Sequence, residues 1–235
     1  MHKVKLDFSK SFFNMFRWLS DLILDFIFPK YCVICGRVMP LAQRLCICRK
    51  CEPAVPDMVS VYVDEESTGC VEVVSALRYD GATREAMLKF KFKDIKYLGY
   101  TFAKALADAV KDRKFVSEEA VVTAIPLHVS RDREYNQAEV IARHMCNELG
   151  IAYSSDIIYK IKPIERLSGM EREDKEFFIK DAFMFNPLVN LTGKTVIIVD
   201  DVFTTGSTLR TISQIMRKHG AKRVYALTAC YSKTQ

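Results

Sequence analysis

The chain has 235 residues, 49% of them apolar and 27% charged, with a formal net charge of +6 at pH 7. That length holds one ordinary domain plus a small accessory module, and the composition excludes disordered and collagen-like architectures. The mild basic excess allows a polyanionic partner without requiring one.

Residues 9–28 read as an amphipathic helix, with Phe12, Phe16, Leu19, Ile23 and Phe26 at three- and four-residue steps and Pro29 ending it. Two roles remain open for it: packing on the body of the protein, or lying on a membrane surface helped by Lys3, Lys5, Lys10 and Arg17. It does not read as a span. Asp21 and Asp25 interrupt the apolar stretch, and each acid would cost about 2.5–3.5 kcal/mol near a bilayer centre. Those acids and the lack of a small-residue cleavage site also argue against a secretory signal. A cytoplasmic location is expected.

Residues 30–58 form a cysteine-rich segment too short to build its own apolar core. Of eight cysteines in the chain, five (Cys32, Cys35, Cys46, Cys48, Cys51) fall here, which points to a metal site, not a disulfide framework. Cys32-x-x-Cys35 and Cys48-x-x-Cys51 present two knuckles, each offering two sulfurs, the pattern of a structural Zn²⁺ held by four thiolates. Cys46 competes with Cys48 for the fourth position. With no open coordination position, the site is expected to be structural. Cys70, Cys146 and Cys230 fall in strand or helix patterns and read as small core residues.

From about residue 59 the pattern changes. Apolar runs at 59–63, 70–79, 120–125, 195–199 and 223–230 read as strands, and helix-period stretches lie at 82–92, 97–111, 137–149 and 207–219. Gly150 and Gly220 are placed to end the last two helices. This alternation predicts an α/β domain with a mostly parallel central sheet flanked by helices. Residues 160–180, with six basic and five acidic side chains, read as a surface loop and a short charged helix. The expected organisation is a helix over 1–29, a zinc ribbon over 30–58 and the α/β domain over 59–235.

The most informative string runs from Val196 through Asp200, Asp201, Thr204, Thr205, Gly206, Ser207 and Thr208. An apolar strand ends in two carboxylates, and a loop of hydroxyls around one glycine leads into a helix. Backbone N–H groups and hydroxyls at a helix N-terminus bind an anion. Paired carboxylates beside them suit ribose hydroxyls and Mg²⁺. A strand-to-helix turn capped by ordinary acids is the plain alternative. The whole string resembles the phosphoribosyl-pyrophosphate signature of type I phosphoribosyltransferases. It matches neither a P-loop nor a dinucleotide fingerprint.

Taken together, the cysteine module and this loop resemble the bacterial ComF family. Further matches are Asp25-Phe-Ile-Phe-Pro29, Tyr79-Asp-Gly81 with Arg84, Phe90-Lys91-Phe92, Ile125-Pro126-Leu127-His128 and Arg133-Glu-Tyr135-Asn136-Gln137-Ala138. The resemblance implies a type I phosphoribosyltransferase-like domain behind an N-terminal zinc ribbon, and a role in DNA uptake during natural competence. It differs in Glu134, where the family has glycine, in Leu167, Lys175 and Phe178, and in lacking a second cysteine pair, so one zinc is expected.

Two functions follow as expectations. In the first, the domain binds phosphoribosyl pyrophosphate or a nucleotide with Mg²⁺, with Lys91 and Arg84 near the pyrophosphate and Asp200 and Asp201 near the ribose. Turnover would make it a glycosyl-transferring enzyme, though no residue stands out as a base for a nucleobase acceptor. Lys91 also fits a plain solvated lysine in the basic run 84–96. In the second, the protein is a binding module for single-stranded DNA, working with DNA-uptake proteins. Lys30, Arg37, Arg44, Arg49 and Lys50 would then meet phosphates, and Tyr31 would stack on a base.

Overall fold

The computed structural model describes residues 23, 26, 29, 32, 35, 37–40, 47–51, 68–93, 95–117, 119–127, 135–162 and 181–232. The chain divides into two compact units, Met1–Ala54 and Val55–Gln235.

In the second unit the elements run β1 (Glu72–Arg78), α1 (Gly81–Phe92), α2 (Leu98–Val110), β2 (Val121–Ala124), α3 (Gln137–Leu149), β3 (Ile158–Lys160), β4 (Phe183–Phe185), β5 (Thr195–Phe203), α4 (Ser207–Lys218) and β6 (Arg223–Tyr231). Strands β1, β6, β5 and β2 lie side by side in that order, all parallel, as the expected fold class requires. Val122 also bridges in parallel to Tyr153 beyond β2.

Side chains alternate between the two faces of a strand, and each face has its own cover. Val196, Ile198, Val224 and Ala226 pack with Leu209, Ile212 and Met216, the apolar stripe of α4. The intervening Ile197, Val199, Tyr225 and Leu227, all buried, point the other way. Helices α2 and α3 cover that second face, α2 over β1 and β6 and α3 over β5 and β2, and α1 packs on α2. Two local devices fix α3, of which the sequence predicted the second. Asn136 caps its start by accepting from the Ala138 N–H, and Gly150 ends it in a left-handed turn.

Four helices and three strands lie within two residues of their expected bounds; β5 does not. Its apolar run was expected to span 195–199 and to end in Asp200 and Asp201, with the loop following them. The strand instead continues to Phe203, because β6 offers partners that far: Asp200 pairs with Thr228, Val202 with Cys230 and Phe203 with Tyr231. The connecting loop shrinks to residues 204–206. The antiparallel pair β3–β4 was not anticipated. Its strands are three residues each, and in Phe183-Met184-Phe185 the buried–exposed–buried alternation is written entirely in apolar residues. Most of 160–180, the strand expected at 59–63, His128, Arg133 and Glu134 lie outside the described residues. Of the 9–28 stretch, Ile23 and Phe26 are described; both are helical and exposed.

Gly99 permits the closest helix approach. A Cβ there would sit 2.5 Å from Val140 Cγ1 on α3 and 3.1 Å from Phe90 Cζ on α1. Gly99→Ala is therefore expected to lower stability by about 1–3 kcal/mol despite the better helix propensity of alanine. A urea midpoint at or above that of the unmodified chain would show that α2 and α3 are not held in this contact.

Candidate functional site

The candidate site lies at the C-terminal end of β5 and the head of α4. Gly206 stands at the N-cap of α4 with φ of 77°. A Cβ on it would come within 3.0 Å of Thr68 Cγ2 and 3.2 Å of Phe203 Cε2, so only glycine fits both the turn and the space. Because the cap has no side chain, Gly206 offers no side-chain acceptor to the first-turn N–H groups. Such groups are anion donors. Around them Thr204 and Thr205 are exposed, Ser207 and Thr208 half-buried, and the Thr205 and Ser207 hydroxyls lie 3.0 Å apart. A hollow of about 40 Å³ opens here, lined by Asp200 and residues 202–209. That is room for a few water-sized atoms.

Strand alternation separates the two acids. Asp200 lines the hollow on the α4 side. Asp201 turns toward α1, where Lys91 Nζ donates to its Oδ1 at 2.8 Å, both side chains being about 15% exposed (16% and 14%). Asp200 Oδ1 accepts the Asp201 N–H at 2.8 Å. Burial, then the neighbouring Asp201 charge, pushes the Asp200 carboxyl up to about 7, against opposing fields from Lys91 and Lys160.

Of the expected site residues, Lys91, Asp200, Asp201 and the 204–208 loop thus come together. Arg84 does not join them: it is exposed two turns earlier on α1, and no contact among the described residues ties it to the acids. Lys160 was missed. It stands on β3, over the Phe183 ring of β4 at 5.9 Å, and its charge reaches Asp200. Nothing local marks it among its basic neighbours; only the β3–β4 pairing distinguishes it.

A much larger groove, about 690 Å³, lies at the opposite, N-terminal edge of the sheet. Open parallel sheets place ligands beyond the carboxyl ends of their strands. The smaller hollow, with its anion donors and acids, is the better candidate for chemistry.

In the first unit, the ligand atoms of Cys32, Cys35, Cys48 and Cys51 all lie within 4.8 Å of one another. Cys35 and Cys48 sulfurs are 3.8 Å apart, close to the sulfur–sulfur edge of a tetrahedron with metal–sulfur bonds of about 2.3 Å. The backbone shapes the knuckles: Cys51 N–H donates to Cys48 O at 2.8 Å, and Cys32 N–H to Arg37 O at 2.7 Å. Burial and hydrogen bonds with the neighbouring thiols push the Cys51 thiol up to about 12. Four thiols this close offer the tetrahedral sulfur set that suits Zn²⁺. Cys46 lies outside the described residues. Cys70, Cys146 and Cys230 are buried in the second unit, as expected of core residues.

A family model described as a phosphoribosyl transferase domain matches residues 95–235. Competence protein F of Haemophilus influenzae is 31% identical over 205 residues, 84% of this chain and 82% of that protein. The chain belongs to the ComF family of phosphoribosyltransferase-like proteins. Other ComF relatives include the DNA utilization protein YhgH of Salmonella typhimurium, 24% identical across 91% of this chain and 95% of that protein. Competence protein ComFC of Streptococcus pneumoniae is 22% identical across 82% of this chain and 96% of its own length. No helix among the described residues is long and apolar enough to cross a membrane.

The raised Asp200 carboxyl has a stability consequence. The folded state holds this proton more tightly than the unfolded chain, so stability falls as pH rises from about 4 toward 7, and the loss is complete above 7. Asp200→Asn removes it. The variant is expected to gain on the order of 1–2 kcal/mol at pH 8, allowing for partial exposure, and nothing at pH 4. Equal urea midpoints of variant and parent at pH 8 would contradict this.

Proposed function

We propose that this ComF protein binds phosphoribosyl pyrophosphate, or a nucleotide phosphate of similar shape, in the hollow at the head of α4, and acts in the cytoplasm in the uptake or processing of DNA. The observation that carries the reading is the placement of Asp200 beside an uncapped helix N-terminus ringed by Thr204, Thr205, Ser207 and Thr208. A phosphate would take the N–H groups and hydroxyls, while the acid on the next strand position faces the sugar. Mg²⁺ fits this donor set, since it is held by one or two carboxylates together with ligand phosphates; when bound it neutralises the pyrophosphate. Lys91 sits within reach of Asp201 and would meet negative charge on the departing pyrophosphate if transfer occurs. The competence and DNA-utilization names of the relatives support the cellular role.

The test is calorimetry of phosphoribosyl pyrophosphate with Mg²⁺ on the full chain and on Asp200→Asn/Asp201→Asn. Binding by the first and at least tenfold weaker binding by the second is expected, with circular dichroism unchanged. Equal affinity would remove the proposal.

The first unit is proposed to be the expected helix (1–29) followed by a zinc ribbon (30–58) holding one structural Zn²⁺ on Cys32, Cys35, Cys48 and Cys51. Elemental analysis should find about one zinc per chain, lost in Cys32→Ser. A purified wild type that never takes up zinc would contradict the assignment.

A second reading, that the protein holds single-stranded DNA, is favoured by the large groove. Lys194, Lys222 and Arg223 line it with one acid, Glu119, and with Ser117, Ser154, Thr192 and Thr195. All three cations are exposed and have no ion-pair partner among the described residues. Reversing Lys194 and Lys222 to glutamate should weaken oligonucleotide binding and reduce its salt slope by about two, leaving phosphosugar binding unchanged. An unaltered salt slope would assign any DNA contact elsewhere, as at Arg37, Arg49 and Lys50 of the ribbon.

A further inference from the structure

Lys91 is the penultimate residue of α1, where a helix has unsatisfied carbonyls and frays. A lysine side chain has many rotamers to lose on pairing, so a loosely held helix end would spread its ammonium over many positions. The residues that lead into α3 hold that end. The Tyr135 hydroxyl donates to the Phe90 carbonyl, and Gln137 Nε2 approaches the Lys91 carbonyl at 3.5 Å, a long contact. Gln137 is 2% exposed and Phe90 fully buried. The Phe90 ring lies between Tyr135 and Phe102, at 5.6 and 5.9 Å between centroids.

The same tripeptide is tied back to the acid strand. Asn136 Nδ2 donates to Ile125 O at 2.9 Å, and Ile125 N–H donates to Val199 O at 2.9 Å. Val199 immediately precedes Asp200. The contacts therefore close into a ring: β5, Ile125, Asn136, then Tyr135 and Gln137, the end of α1, Lys91, and Asp201 back on β5.

We propose that Tyr135 and Gln137 are positioning residues that deliver Lys91 to Asp201, and act on the site only through that lysine. The consequence for ligand binding rests on the phosphosugar reading above; the positioning itself does not. Neither Tyr135 nor Gln137 lines the phosphate hollow, so their effect on a bound ligand would be transmitted by where the ammonium stands.

The test is the rate at which an acetylating reagent modifies Lys91 in the folded full chain, read by mass spectrometry. Lys104, paired with Asp108 on α2, is the internal control. Tyr135→Phe keeps the ring and removes the donor. It is expected to speed modification of Lys91 roughly two- to fivefold and leave Lys104 unchanged. Asp201→Asn should speed Lys91 as well, and adding Tyr135→Phe to it should then do nothing more. Gln137→Met serves the same comparison should Tyr135→Phe fail to fold. Unchanged Lys91 reactivity, an equal rise at Lys104, or a further full increment on the Asp201→Asn background would each overturn the proposal. Adding phosphoribosyl pyrophosphate with Mg²⁺ separates the two claims. If Tyr135→Phe frees Lys91 but the wild type binds no such ligand, the positioning stands and the phosphosugar reading falls.

Discussion

The parallel pairing of β5 with β6 as far as Phe203 and Tyr231 is the constraint on which the rest of the site depends. Were β5 to stop at Val199, the two acids would share one flexible loop. Because the ladder continues beneath them, period-two alternation sends them to different faces. Asp200 meets the hollow at the head of α4, and Asp201 meets Lys91. On the proposed phosphosugar reading, one strand would serve two halves of the ligand. The short loop that follows then has room for a single glycine-only turn, which Gly206 supplies with neighbours on both sides.

Electrostatics divides the same way. Asp201 is balanced by a partly buried ion pair, whereas Asp200 is held against its own burial and a neighbouring negative charge. Burial and the Asp201 charge therefore oppose ionisation of Asp200, and a nearby cation would favour it. Perturbation of this kind concentrates at functional sites. It sits beside a largely apolar core, with no buried side-chain polar atom unpartnered among the described residues. Fold and activity separate readily; a binding role and a catalytic one would use the same acids.

Much of this was legible in the sequence, for physical reasons. The two cysteine pairs were readable from spacing, since two close pairs are what four-thiolate coordination needs, though spacing left Cys46 competing with Cys48; the structure brings Cys48 together with Cys32, Cys35 and Cys51. Helices α3 and α4 were readable from an apolar stripe ended by glycine. The parallel sheet followed from their alternation with Val- and Ile-rich runs. What escaped was non-local. The length of β5 is decided by β6, and polar residues such as Asp200 and Asp201 give no sign that a ladder passes through them. Strands β3 and β4 are too short, and too uniformly apolar in Phe183-Met184-Phe185, to show a period. Lys160 became notable only through that hairpin. Tyr135 and Gln137 stood out in the string that carries the family resemblance, but only the fold reveals that they grip the end of α1. Arg84 shows the converse: near in sequence to Lys91, yet outside the contacts that assemble the site.

The account turns on where a phosphosugar sits. Titrating phosphoribosyl pyrophosphate with Mg²⁺ into isotope-labelled protein, while following backbone amide signals, locates it directly. The account predicts progressive shifts at Gly206, Ser207, Thr208 and Leu209, with the signals of Lys194, Lys222 and Arg223 at the far edge of the sheet unmoved. Shifts confined to that far edge, or none at the head of α4 at saturating ligand, would contradict it.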